Sequence, residues 1–177
     1  MKRSQRHQRR TLRGFTLVEI IVVVVLLAIV SLTAIPVLSS AADMQVRSAA
    51  DKIAADLDYA KGLAITHQKT YTVVFAPSEE KYQVQDSTGT ILKHPLRNGD
   101  FIEDFTKDRR VKKVNIVSTN LSGNAVTFDY LGTPYAGTGT SSPLNAAGEI
   151  TLQADSFTLV VKIEPVTGYV SIEKTTP

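Results

Sequence analysis

The sequence contains no cysteine, so disulfides and thiolate metal sites are both excluded. Histidine is scarce: only His7, His67 and His94 occur, and none sits in a nucleophile motif such as Gly-x-Ser-x-Gly. The glycine- and threonine-rich stretch 132–143 (GTPYAGTGTSSP) lacks a Gly-Lys-Ser/Thr ending, which excludes a phosphate loop. It reads as a surface loop between two strands. Asp100, Glu103 and Asp104 lack the alternating ligand order of a calcium loop and read as a solvated loop. No enzyme, cofactor or metal is therefore expected. Charge is also scarce in one place: across residues 15–38, Glu19 is the only charged side chain.

What is present is unevenly distributed. The 177 residues suit one modest domain with an appendage, and 43% hydrophobic residues supply one small core. The net charge of +3 misleads. Residues 1–14 hold six bases (Lys2, Arg3, Arg6, Arg9, Arg10, Arg13) and no acid, so the remainder has 20 − 6 = 14 bases against 17 acids, a net −3. A basic leader followed by a mildly acidic protein is the simplest reading.

Residues 15–38 (FTLVEIIVVVVLLAIVSLTAIPVL) are almost wholly apolar. As a helix they would extend roughly 36 Å, enough for the ~30 Å hydrocarbon core of a bilayer. The basic leader would hold its end in the cytoplasm, placing the rest across the membrane. A plain signal anchor, a secretory signal peptide cut near Ser39–Ala42 and a signal cut before the apolar run all fit this outline. Glu19 separates them. A carboxylate inside a bilayer costs on the order of 2.5–3.5 kcal/mol, and only a positive partner there makes it useful. Cleavage after Gly14 would create such a partner, the free amine of Phe15 on a neighbouring copy. Pro36 would kink or end the helix.

Arg13-Gly14-Phe15-Thr16-Leu17-Val18-Glu19 resembles the prepilin signature of type IV pilins and type II secretion pseudopilins. The resemblance implies cleavage between Gly14 and Phe15 by a prepilin peptidase and N-methylation of Phe15. It also implies pairing of Glu19 with a neighbour's N-terminus during assembly. The terminal tip subunit of such filaments tends to lack that carboxylate, so its presence argues against the tip-most position.

Residues 41–68 carry a different helical pattern. Val46, Ala49, Ala50, Ile53, Leu57, Ala60 and Ala64 recur at three- and four-residue spacing, with charged residues largely between them. Strand-like runs follow at 70–76, 81–86, 111–118, 125–130, 149–154, 157–164 and 169–173. The expected fold is α+β: a long N-terminal helix, half membrane-embedded and half amphipathic, packed against an antiparallel sheet. The expected division is a leader at 1–14, a polymerisation helix at 15–38 and a head at 39–177, helical to about 68. Val126–Pro134 (VTFDYLGTP) and Val161–Val170 (VKIEPVTGYV) resemble the strand-and-turn and closing hairpin of the GspH/FimT group of minor pilins. Leu57–Ala64 resembles that group's Ala-rich helix end, with Lys61 where an arginine is commoner.

Lys107, Arg109, Arg110, Lys112 and Lys113 form a basic cluster that could meet phosphates, as some FimT-like pilins do with DNA. Asp108 interrupts it and no aromatic is interleaved, so a solvated edge facing acidic partners is the expectation rather than nucleic acid. The resemblance implies a minor pseudopilin of a type II secretion pseudopilus, acting in protein export. A minor pilin of a type IV pilus, or one binding DNA in competence, is the alternative. Implied partners are other pilins or pseudopilins, the prepilin peptidase, an inner-membrane assembly platform and the membrane itself. The implied location is the bacterial inner membrane, single-pass with the head in the periplasm, then a periplasmic filament.

Overall fold

A computed structural model of the chain describes the backbone of residues 16–174 and the side chains of residues 16–30 and 41–174. The chain divides into two compact units, Met1–Leu38 and Ser39–Pro177. One helix, α1 (Leu17–His67), contributes to both.

In the first unit the side chains from Leu17 to Val30 are exposed all round the helix, Leu17 at 75% and Val30 at 64%. The expected membrane span over 15–38 is not upheld: among the described residues no helix is long and apolar enough to cross a membrane. With the span goes the single-pass inner-membrane location that was inferred from it.

The second unit packs the rest of α1 against nine strands: β1 (Tyr71–Ala76), β2 (Lys81–Gln85), β3 (Ile102–Asp104), β4 (Asn115–Thr119), β5 (Ala125–Phe128), β6 (Pro134–Ala136), β7 (Gly148–Ala154), β8 (Phe157–Ile163) and β9 (Val170–Lys174). They form two antiparallel sheets, ordered β3-β2-β1-β5-β6 and β4-β7-β8-β9. Along β7 and β8 buried and less buried residues alternate, as a sheet with one face on the core requires. The stripe Val46, Ala49, Ala50, Ile53, Leu57, Ala60, Ala64 is fully buried. It joins the inward faces of both sheets in one cluster with Val73, Phe128, Ile150, Leu152 and Val161. The small alanines let the helix backbone approach closely.

Two expectations for loops are corrected. Stretch 132–143 contains strand β6, because β5 is buried on both faces and needs a cover. The Thr127 hydroxyl donates to Gly137 O at 2.7 Å and accepts from Gly139 N–H at 2.9 Å and from the Thr72 hydroxyl at 2.8 Å. Glu103 is not solvated. It lies on β3, 1% exposed.

Candidate assembly surfaces

The start of α1 is fixed by its own sequence. The hydroxyl of Thr16 accepts the Glu19 N–H at 3.2 Å, and the Glu19 carboxylate reaches back to the Thr16 N–H at 3.5 Å. This reciprocal pair is a capping box, which satisfies two of the orphan donors of a helix start. A carboxylate there also complements the helix dipole. At 3.5 Å the return bond is weak, and the exposed Glu19 carboxylate keeps capacity for a further donor. Gly14 and Phe15 lie outside the described residues, as does the side chain of Pro36.

In the head, the buried Glu103 carboxylate gathers three donors from two directions. Lys52 of α1 and Arg97 of the β2–β3 loop are ion-paired to it, and His94 Nε2 is 3.1 Å away. His94 Nδ1 accepts the Leu96 N–H at 3.1 Å, so Nε2 carries the proton and donates it to Glu103. Burial pushes the Glu103 carboxyl up, but the hydrogen bonds from Arg97 and Lys52 outweigh it and hold it below its ordinary value. Nearby, the Tyr82 hydroxyl donates to Asp56 of α1 at 2.6 Å. Burial raises the Asp56 carboxyl despite that bond, and raises the Tyr82 hydroxyl well above its usual range. The cluster ties α1 to the β2–β3 edge; every polar group in it serves a partner inside the fold.

The predicted basic cluster is split by the structure. Lys107 pairs with Asp104 at 2.8 Å, and Arg110 with Asp108 at 3.1 Å. Those bonds lower Asp104 and Asp108 to about 2. Lys107, Arg109 and Arg110 line one open groove of about 640 Å³, which Glu103, Asp104 and Asp108 also line. Lys112 and Lys113 fall outside it, and the Lys113 N–H is held by Gln45 Oε1 at 3.1 Å. Arg109, Lys112 and Lys113 are exposed. Arg97 lines it as well, and three of its four bases are paired to its acids, so it is a poor phosphate track. Among the described residues no group of histidines and carboxylates could hold a metal ion, and neither a cysteine pair nor an active-site cluster is present.

The two head motifs meet at Lys61. In the β5–β6 turn, Asp129 Oδ1 accepts the N–H groups of Leu131 and Thr133, each at 2.9 Å. Gly132 there packs on Ile65 and Lys61 of α1. In the β8–β9 turn, Gly168 O accepts from Lys61 Nζ at 2.9 Å. Lys61 thus fastens this turn to α1.

Sequence reasoning missed the capping role of Thr16, although Thr-x-x-Glu before an apolar run is its signature. It also missed Lys52, His94 and Arg97, since no local pattern joins residues so far apart.

Comparisons with known proteins bear on the fold and the N-terminus. Residues 9–35 match the prokaryotic N-terminal methylation motif. No curated protein matches the sequence. The minor pseudopilin EpsH from the Type 2 Secretion System of Vibrio cholerae aligns with a TM-score of 0.51 and 8% identity, over 75% of this chain and 98% of that one. The type IV minor pilin FimU of Pseudomonas aeruginosa gives 0.48 and 17% identity, over 72% of this chain and 91% of that one. The likeness to EpsH shows a type IV pilin-like fold, and the motif match adds a prepilin-type methylation signal to it.

Proposed function

We propose that this protein is a structural subunit of a pilin-like filament, polymerised through the N-terminal part of α1. The carrying observation is the helix surface from Leu17 to Val30, exposed all round and apolar, with one carboxylate at its start. A helix hydrophobic on every face needs burial against other apolar surface, and helices of neighbouring subunits supply it. Once buried, Glu19 requires a positive partner. Cleavage between Gly14 and Phe15 by a prepilin peptidase, followed by N-methylation, gives each neighbour an amine at Phe15 suited to that place. The charge pair then fixes register between helices that apolar packing alone leaves free to slide.

Within this class we read the protein as a minor pseudopilin of a type II secretion system, acting in protein export with other pseudopilins as partners. The head motifs around Gly132 and Gly168, and the fold shared with EpsH, support that assignment.

Glu19→Gln tests the mechanism. Glutamine keeps the capping box but removes the charge. Its incorporation into sheared filaments is expected to fall at least tenfold, with cellular level and N-terminal processing unchanged. Incorporation at the wild-type level would mean that Glu19 only caps the helix, and the charge-pair mechanism would be wrong.

A further inference from the structure

Four strands form the open edges of the two sheets: β3 and β6 of one, β4 and β9 of the other. Three of these edges are short, blocked or distorted. β3 has three residues, and Arg97 reaches its Ile102 carbonyl at 3.4 Å. β6 also has three, begins at Pro134, and is flanked by a returning segment: Ala136 N–H donates to Ser142 O at 2.9 Å. β4 has a register shift between Ile116 and Ser118, and the Glu80 carboxylate takes the Ile116 N–H at 2.6 Å.

β9 has none of these protections. It is five residues long, proline-free, and regularly paired to β8 from Val170 to Lys174. The Glu164 N–H donates to Tyr169 O at 2.8 Å, which sets the phase of the ladder. Ser171 and Glu173 turn their peptide groups to β8, and Val170, Ile172 and Lys174 turn theirs outward. Among the described residues nothing pairs with those outward groups. Ile172 stands opposite the core residue Val161, yet is 37% exposed. A regular open edge of this kind is a template for another strand.

We propose that β9 is a homotypic interface, in which a second copy of this chain adds its own β9 antiparallel across a two-fold axis at Ile172. The strand's own sequence selects the occupant. Centred on Ile172, all five residues overlap: Val170 faces Lys174, Ser171 faces Glu173, and Ile172 faces itself. No like charges are opposed, and each Ile172 covers the other's exposed flank. Centring on Glu173 instead would set two carboxylates face to face. The contact closes on itself and joins two four-stranded sheets into one. It goes beyond the filament reading and does not depend on it.

The cysteine-free sequence makes cross-linking specific. In the full chain, solubilised in detergent, Ile172→Cys is expected to form a disulfide-linked dimer on mild oxidation, since residues so paired have Cα atoms about 5.5 Å apart. Asp155→Cys, in the exposed β7–β8 turn, is expected to cross-link at least tenfold more slowly. Ile172→Pro removes an outward N–H but no bond to β8, so it should halve the wild-type sedimentation mass while the β-sheet circular dichroism remains. Equal cross-linking of the two cysteine variants overturns the proposal. So does a wild-type chain that sediments as a monomer, a dimer that persists in Ile172→Pro, or Ile172→Cys captured mainly by a different protein.

Discussion

Gly62 and Gly168 illustrate how differently one residue type can be constrained. Gly168 has φ +58°, and a Cβ there would lie 2.7 Å from Gly132 O and 3.2 Å from the Phe128 ring. Gly62 is helical, with nothing within 4 Å of the place its Cβ would take. Gly168→Ala is expected to destabilise the protein by about 1–3 kcal/mol, through both the left-handed backbone and the clash. Gly62→Ala is expected to stabilise it by about 0.5–1 kcal/mol. Denaturant unfolding of the two variants checks this; equal effects would contradict the turn-to-turn packing around Lys61. The sequence marks Gly132 and Gly168 as parts of recurring turns, and the structure supplies their reason, the contact of two turns over one lysine. Glu103 is illegible in the sequence for the opposite reason. An acid near two other acids reads as solvated, and only the fold brings Lys52 and Arg97 to it.

The buried stripe of α1 is readable residue by residue, because a three- and four-residue spacing kept over seven positions matches one face of a helix and cannot match a strand. The longer strands β1, β2, β7 and β8 are also readable, from alternation and β-branched content. β3 and β6 are not, since three residues cannot display a period. β3 is held by pairing to β2 and by the Glu103 cluster, and β6 by its pairing to β5. The expected strand at 111–118 begins only at Asn115 because Asp108 organises the preceding turn, with its Oδ1 taking the Arg110 N–H at 3.0 Å. At the N-terminus, hydropathy alone reads as a membrane span, whereas among the described residues no helix is long and apolar enough to cross a membrane. Sequence reading takes Glu19 purely as a contact between subunits, although Thr16 makes it a capping residue first.

Charge couples these elements and sets the molecule's response to acid. Glu103, Asp104 and Asp108 all have folded values below the ordinary 4.5 and 3.8. Each therefore contributes stability that is complete above the ordinary value and is lost as pH falls through the folded one. Asp56 acts in the other sense: its raised value favours the fold as it becomes protonated. Three groups against one predict a melting temperature that falls between about pH 4 and pH 2, read by circular dichroism; a flat profile would contradict the ion-pair assignments. At the same scale, a filament subunit must be a processed chain. The measurement closest to that proposal is the mass and N-terminal sequence of the protein recovered from the cells that produce it. A chain beginning at N-methylated Phe15 is the predicted result. A chain beginning at an unmodified Met1, or near Asp43 with the apolar helix removed, would contradict assembly through Glu19.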